Sequence, residues 1–373
     1  MRPSDEDVHQ HAHRATEVLR FMKRHVQAST RRAARSTLGL VLVGALLGLL
    51  ALACFGPASA PPTSVASPAA PTPAPTTPPT AASTVPATVA PTATVRPAAS
   101  FPATVVDADG QSVTLSREPQ RIVSLAPSNT EILFALGLGD RVVAVSDYSD
   151  YPPEAASKPK VGYTRVDIEK VLSLNPDLVL ATRANRETAT PQLRERGVTV
   201  VTVEPKNLDE VVESVRMVGR ITGRVEAAER LTDEMRARIE RVTATVARAE
   251  RRPRVYYELD SKLYTAGPGS FVHDLIQRAG GENIAASAAS QYPQLSQEVI
   301  LQSDPEVIIL ADVGQYGGES PESVAARPGW QTVSAVKSGR IVPINPDLTT
   351  RAGPRLVDGL EQIARALHPE LFP

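Results

Sequence analysis

Cysteine is almost absent from this 373-residue chain. Cys54 is the only one, so no intramolecular disulfide and no cysteine-built metal site can form. Cys54 also ends an apolar run, which removes it as a protease nucleophile. Aromatic residues make up only 4%, with a single tryptophan, Trp330. Neither sign of charge is in excess: 40 Lys and Arg oppose 41 Asp and Glu. That balance argues against the basic stripe of a nucleic-acid-binding protein. Histidine is scarce beyond the N-terminal tail, where only His273 and His368 remain. A carrier of zinc or manganese would need more imidazoles in its cleft. The tail cluster His9, His11 and His13 has no second shell to orient it. Neither a GxGxxG fingerprint nor a P-loop lysine is present, and no Ser–His–Asp or Cys–His triad can be read. No residue is assigned a catalytic or metal-binding role, and no resident cofactor is expected.

What is present is strongly partitioned. Residues 1–37 are polar and arginine-rich. Leu38 to Phe55 form 18 residues without charge, the length of a short membrane-spanning helix or of the core of an export signal. Arg31, Arg32 and Arg35 precede it and orient the N-terminus toward the cytoplasm. The run ends in Leu50-Ala51-Leu52-Ala53-Cys54, similar to a bacterial lipoprotein processing site whose cysteine receives lipid. A lipidated Cys54 and an uncleaved anchor both leave the rest of the chain outside the cytoplasm and tethered to the membrane. Residues 56–100 are dominated by Pro, Ala, Thr, Ser and Val. Such a composition cannot bury a core and predicts a disordered, semi-rigid stalk.

From Phe101 the pattern becomes globular. The runs 121–126, 142–146, 178–182 and 198–203 read as buried strands, with helical patterns at 129–136, 167–174 and 187–196. After Pro253 the alternation begins again, with strands at 254–259, 307–310 and 340–344 and a helix from Ser270. Strand–helix alternation predicts parallel sheets. The expected architecture is α/β: an N-terminal lobe over 101–223, a linking helix over 224–252 and a C-terminal lobe over 253–373. The linking segment has neither Gly nor Pro from Val225 to Ala249. Ala228, Leu231, Met235, Ile239, Val242 and Val246 recur at helical spacing along it. It reads as a stiff strut.

The lobes also echo each other. Glu169 to Pro176 leads into an apolar strand, and Glu298 to Pro305 does the same. Each stretch is a short helix, a proline seven residues after a glutamate, and then a strand. One glutamate therefore holds the same early helical position in each lobe.

Several turns fall where α/β lobes present ligands. Ser128-Asn-Thr-Glu131 has the spacing of a capping box, with Gly137 as the helix stop. Thr265-Ala-Gly-Pro-Gly-Ser270 is a second strand-to-helix turn. Tyr148, Tyr151, Tyr163, Tyr264 and Tyr292 all lie in connections and suggest the walls of a stacking cleft. Asp347 and Arg351 can pair with each other or address a ligand.

The stretches RIVSLAPSNTEILFALG (121–137), SDYSDYPPEA (146–155), VDIEKVLSLNPDLVLATR (166–183), AGGENIA (279–285), YPQLSQEVIL (292–301) and DLTTRAGPR (347–355) carry a resemblance. Together they resemble the helical-backbone class of solute-binding proteins of bacterial ABC importers, and within it the cobalamin binders. The resemblance covers about 117–370. It implies two α/β lobes joined by one long helix, a ligand cleft between them, and no chemistry on the ligand. It implies ligand-binding roles for Tyr148, Tyr163, Arg183, Tyr264, Tyr292, Asp347 and Arg351. Thr182, Leu348 and Thr349 replace pocket aromatics of the cobalamin binders. It also implies that Glu169 and Glu298 dock on arginines of the two permease subunits. The expected cargo is cobalamin or a related corrinoid, with a ferric siderophore or haem as the alternative. The expected partners are a permease dimer and its ATPase, and the chain itself is expected to be a monomer. An enzyme or sensor domain on the same scaffold is the alternative of another class.

Overall fold

The computed structural model describes residues 100–314 and 317–372. The arginine-rich tail, the apolar run with Cys54 and the proline-rich stalk all lie outside the described residues. Among the described helices none is long and apolar enough to cross a membrane.

The described chain opens with a hairpin, β1 (Ala103–Val106) antiparallel to β2 (Ser112–Leu115). Asp107 closes its turn by accepting from the backbone N–H of Asp109 and of Gln111, each at 2.9 Å. The N-terminal sheet holds β3 (Ile122–Ser124), β4 (Val142–Val145), β5 (Leu178–Ala181) and β6 (Val200–Thr202). All four are parallel, in the order β4-β3-β5-β6. The C-terminal sheet holds β7 (Arg254–Glu258), β8 (Glu282–Asn283), β9 (Val307–Leu310) and β10 (Ile341–Pro343), also parallel, in the order β10-β9-β7-β8. Counted within each lobe, both orders are second, first, third, fourth. The doubling visible in the sequence is thus a doubling of topology.

Its detail reaches single residues. Helix α1 (Pro127–Ala135) follows β3, α2 (Pro153–Ala156) follows β4, and α3 (Ile168–Ser173) and α4 (Ala189–Glu195) flank β5. The linking hairpin is α5 (Leu208–Ile221) and α6 (Val225–Val246). The C-terminal lobe adds α7 (Phe271–Arg278), α8 (Gln297–Ser303), α9 (Pro321–Ala325), α10 (Ser334–Lys337), α11 (Asp347–Thr350) and α12 (Leu356–Leu367). Helices α3 and α8 are the repeated pair. Asp167 caps the first by accepting from the Lys170 N–H at 3.0 Å, and Ser296 caps the second by accepting from the Val299 N–H at 3.3 Å. Left-handed residues follow both helices, Asn175 at φ 45° and Asp304 at φ 43°, each immediately before the proline. Arg121 and Arg254, at the strand entrances, donate their backbone N–H to Asp177 (2.8 Å) and Glu306 (3.1 Å).

Helix α6 is the strut, but it does not stand alone. Helix α5 packs along it, tied by Arg216 to Glu229 at 3.2 Å and by Arg236 to Glu213 at 2.7 Å. The buried stripe of α6 is Ala228, Thr232, Met235, Ile239, Val242 and Val246. Thr232 takes the inner position expected of Leu231, which is only partly buried. Arg238 binds Asp358 (2.6 Å) and Glu361 (2.8 Å) and fastens the strut to α12.

Alternating strand residues divide the core. Ile122, Leu178 and Leu180 face one side of the N-terminal sheet, while Val123 and Val179 face the other. In the C-terminal sheet Val255, Tyr257, Val307 and Ile309 face one side, with Tyr256, Ile308 and Leu310 opposite. The first set from each lobe belongs to one continuous core that runs through α5 and α6. Spreading the lobes apart would expose that shared apolar surface, so the link resists wide hinge motion.

Candidate ligand cleft and docking residues

The candidate residues gather at the carboxyl ends of the central strands, where sheets of this strand order present ligands. After β5 the chain makes a tight turn over Thr182–Asn185. Asn185 accepts from the Thr182 N–H at 3.1 Å and donates from Nδ2 to the Tyr163 carbonyl at 2.9 Å. The same turn lends the Arg183 N–H to Glu204 Oε2 at 2.9 Å. One turn therefore sets Tyr163 and Glu204 side by side, and Thr182 is buried as its cap. The Tyr148 ring meets the Tyr163 ring edge-on, 5.7 Å between centroids.

The C-terminal lobe holds its own tyrosine loop. Thr265 N–H donates to the Pro293 carbonyl and Gly267 N–H to that of Gln291, both at 2.9 Å. A Cβ on Gly267 would lie 2.6 Å from the Ser290 carbonyl, so only glycine allows this approach. The glycine turn thus holds the loop bearing Tyr292, while Ser270 caps α7 through the His273 N–H at 3.1 Å. Tyr264 is half-buried beside this pairing, and no aromatic contact joins it to another tyrosine among the described residues.

Electrostatics link the two tyrosine loops. Burial, then the Glu204 charge, then Tyr148 push the Tyr163 phenol up to about 12. Burial and the same Glu204 push Tyr292 up to about 12. A single carboxylate thus acts on one tyrosine from each lobe. Thr349 and Leu348 serve the scaffold: Thr349 is buried and hydrogen-bonded to the Tyr257 hydroxyl at 2.7 Å, and Leu348 is partly buried.

The expected capping box is not formed. The N-cap of α1 is Ala126, Pro127 opens the helix, and no side chain caps it. Glu131 turns away to the other lobe, because two arginines there outbid its own backbone amides. It accepts from Arg355 at 2.6 and 3.0 Å and lies 3.6 Å from Arg351. A Cβ on Gly353 would stand only 3.0 Å from Glu131 Oε2, so the glycine makes room for this contact. Asp347 and Arg351 do pair, at 2.8 Å, but Arg351 also reaches Asp150 of the N-terminal lobe at 2.6 Å. Burial works against the Arg351 charge, yet the bond it donates to Asp150 and the charges of Asp347, Asp150 and Glu131 raise its pKa. Tyr151 is exposed and lies under the Arg355 guanidinium at 3.7 Å, so this tyrosine serves the lobe contact.

Glu131, Asp150, Glu204 and Arg355 were not singled out in sequence as functional. The first three are separated in the chain from everything they address; Glu131, Asp150 and Arg355 lie inside stretches that carry the resemblance, and Glu204 lies in none of them.

Glu169 and Glu298 are both exposed, each at the second position of its helix. The Ser296 hydroxyl and the backbone amides lower the pKa of Glu298. Arg183 is exposed at the turn beside Glu204.

The chain as a whole has counterparts among known proteins. The family described as periplasmic binding protein matches residues 122–348. An uncharacterized ABC transporter substrate-binding lipoprotein of Bacillus subtilis (strain 168) is 37% identical over 281 residues, 73% of this chain and 87% of its own length. The crystal structure of the periplasmic vitamin B12 binding protein of Vibrio cholerae superposes with a TM-score of 0.60 at 33% identity, covering 67% of this chain and 97% of that one. The apo form of a periplasmic heme-binding protein from Roseiflexus sp. RS-1 superposes with a TM-score of 0.61 at 31% identity, covering 68% and 99%. The chain belongs to the periplasmic binding protein family and is a substrate-binding protein of an ABC transporter.

Proposed function

We propose that the protein binds cobalamin or a related corrinoid in the cleft between its lobes and hands it to an ABC permease. The observation that carries this is the pair Tyr163 and Tyr292, one from each lobe, set around a single carboxylate, Glu204. Two phenol faces suit a broad, flat, partly apolar ring. The likeness to the vitamin B12 binding protein of Vibrio cholerae supports the same ligand class. The corrinoid is cargo, without a resident cofactor and without chemical turnover. Glu169 and Glu298 present one exposed carboxylate per lobe to the two permease subunits, and the ATPase drives release. A monomer meets that two-fold partner with its own internal repeat. The apolar run and Cys54 tether the chain to the outer side of the membrane, either through lipid or as an uncleaved anchor.

The likeness to the heme-binding protein of Roseiflexus favours haem as the second reading. Calorimetry of the full chain in mild detergent against cyanocobalamin, haemin and a ferric siderophore separates them. Micromolar or tighter binding of cyanocobalamin alone is expected. Binding of haemin or the siderophore without cyanocobalamin overturns the corrinoid reading.

A further inference from the structure

Between the Glu131–Arg355 fork and helix α6 lies a cavity of about 180 Å³. That is the space of about six water molecules in the liquid. All three parts of the fold line it: Glu131 and Tyr151 from the N-terminal lobe, Met235 and Arg238 from α6, Pro354 and Asp358 from the C-terminal lobe. None of Tyr148, Tyr163, Tyr264 and Tyr292 borders it, so it is a different place from the tyrosine loops. Ala135, Leu231, Met235 and Pro354 supply aliphatic surface. Both guanidiniums in its lining are taken. Arg355 holds Glu131 at 2.6 Å, and Arg238 holds Asp358 at 2.6 Å and Glu361 at 2.8 Å. Glu234, which also lines the cavity, stands four residues before Arg238, the spacing at which the two ordinarily pair along a helix. Arg238 turns to α12 instead, and Glu234 stays exposed, with no ion pair or hydrogen bond among the described residues. Glu131, Asp358 and Glu361 thus have their cations, and Glu234 has none.

The geometry points to a second binding site, for a small aliphatic ammonium ion, with its alkyl stem in the cavity and its charge on Glu234. This site is independent of the cargo. An exposed carboxylate alone attracts a cation weakly. The stem supplies the rest, since each methylene that leaves water for the aliphatic lining adds to affinity. A bare ammonium ion has no stem to bury. A carboxylate on the same stem meets the Glu234 charge and finds both guanidiniums taken, so it is rejected. An occupant that touches both lobes and α6 at once binds only the folded chain and raises its unfolding temperature.

Three probes test it on the full chain in mild detergent: n-pentylammonium, n-pentanoate and the ammonium ion. Calorimetry should show n-pentylammonium binding with a dissociation constant of about 1 mM. The other two should bind at least about fivefold more weakly. At about 50 mM, n-pentylammonium should raise the unfolding temperature by about 3 °C. Glu234→Gln removes an exposed charge without touching the core, and should weaken n-pentylammonium by about fivefold. Glu240→Gln removes an exposed charge of the same helix outside the cavity, and should leave that affinity within about twofold. Equal binding of n-pentylammonium by the parent and Glu234→Gln overturns the site. So does n-pentanoate binding as well as n-pentylammonium, or a parent that binds no n-pentylammonium up to about 50 mM. Cargo binding is a separate measurement, so the corrinoid reading stands or falls without this result.

Discussion

Arg355 of the C-terminal lobe donates to both carboxylate oxygens of Glu131 in the N-terminal lobe, at 3.0 and 2.6 Å. Glu131 is buried, and Gly353 gives the approach its space. With Arg351 on Asp150, the contact joins the mouths of two sheets whose inner faces already share a core. The lobes are held on both sides of the helical link, by apolar contact behind and by ion pairs in front.

Removing one partner of this fork should be costly. Arg355→Met leaves the buried Glu131 with only the more distant Arg351 at 3.6 Å, and about 3–5 kcal/mol is the upper bound on the loss of folding stability. The double variant Glu131→Gln with Arg355→Met should recover part of it, because no charge is then stranded. Urea unfolding monitored by circular dichroism checks both. Equal stability of Arg355→Met and the parent would show that the fork adds nothing.

Glu169 and Glu298 stand at matching second positions of α3 and α8, and both are exposed. Alanine at either should leave ligand affinity unchanged within about twofold while lowering uptake, and alanine at both should abolish it. Charges that steer docking act chiefly on association. The residual uptake of each single variant should therefore fall further as salt rises. Uptake that survives the double change removes the docking role.

The raised phenols fix an alkaline limit. Tyr163 and Tyr292 titrate near 12 in the folded protein against an ordinary value of 10.0. A group that holds its proton more tightly when folded contributes stability that is complete below 10 and is lost as pH rises from 10 to about 12. Thermal unfolding from pH 9 to 11.5 should show a decline that Tyr163→Phe and Tyr292→Phe each lessen. Ligand affinity should stay flat from pH 7 to 9.5, since both hydroxyls remain protonated there.

Asp312 adds a second pH dependence from the acid side. It is buried beyond the end of β9, and its Oδ1 lacks a hydrogen-bond partner among the described residues. Burial, then the nearby Glu258, and further on Glu319, push its pKa from 3.8 to about 7, while its own backbone bond and Arg327 pull the other way. Arg327 is taken by Glu258 at 2.6 and 2.7 Å and stacks on Trp330 at 4.8 Å. The raised value means that stability is complete below about 4 and is lost as pH climbs to 7. Asp312→Asn should raise the unfolding temperature at pH 8 and change it little at pH 4. Roughly 4 kcal/mol is the upper bound on the gain. A variant no more stable at pH 8 than the parent would place the Asp312 charge in solvent.

Local rules carried much of this. Short apolar runs such as LVLA and VIIL, bounded by Asn-Pro or Asp-Pro turns, read as covered strands, and proline seven residues after glutamate ended both repeated helices within a few residues of the expected place. The β1–β2 hairpin went unread, because four-residue strands around Asp-Ala-Asp-Gly carry little periodic signal. Two-residue β8 carries none. The capping box failed for a different reason: its spacing is a local rule, and Arg355 is 224 residues away.

The order of apolar and polar residues alone determined two parallel-sheet lobes, a long helix between them and a glutamate repeated in each, since burial periodicity is written along the chain. Which carboxylate faces which guanidinium, and that one turn holds both Glu204 and the Tyr163 backbone, was decided only by the folded chain. Those carboxylates and guanidiniums meet across two lobes, and electrostatic pairing depends on distance in space rather than on spacing in sequence.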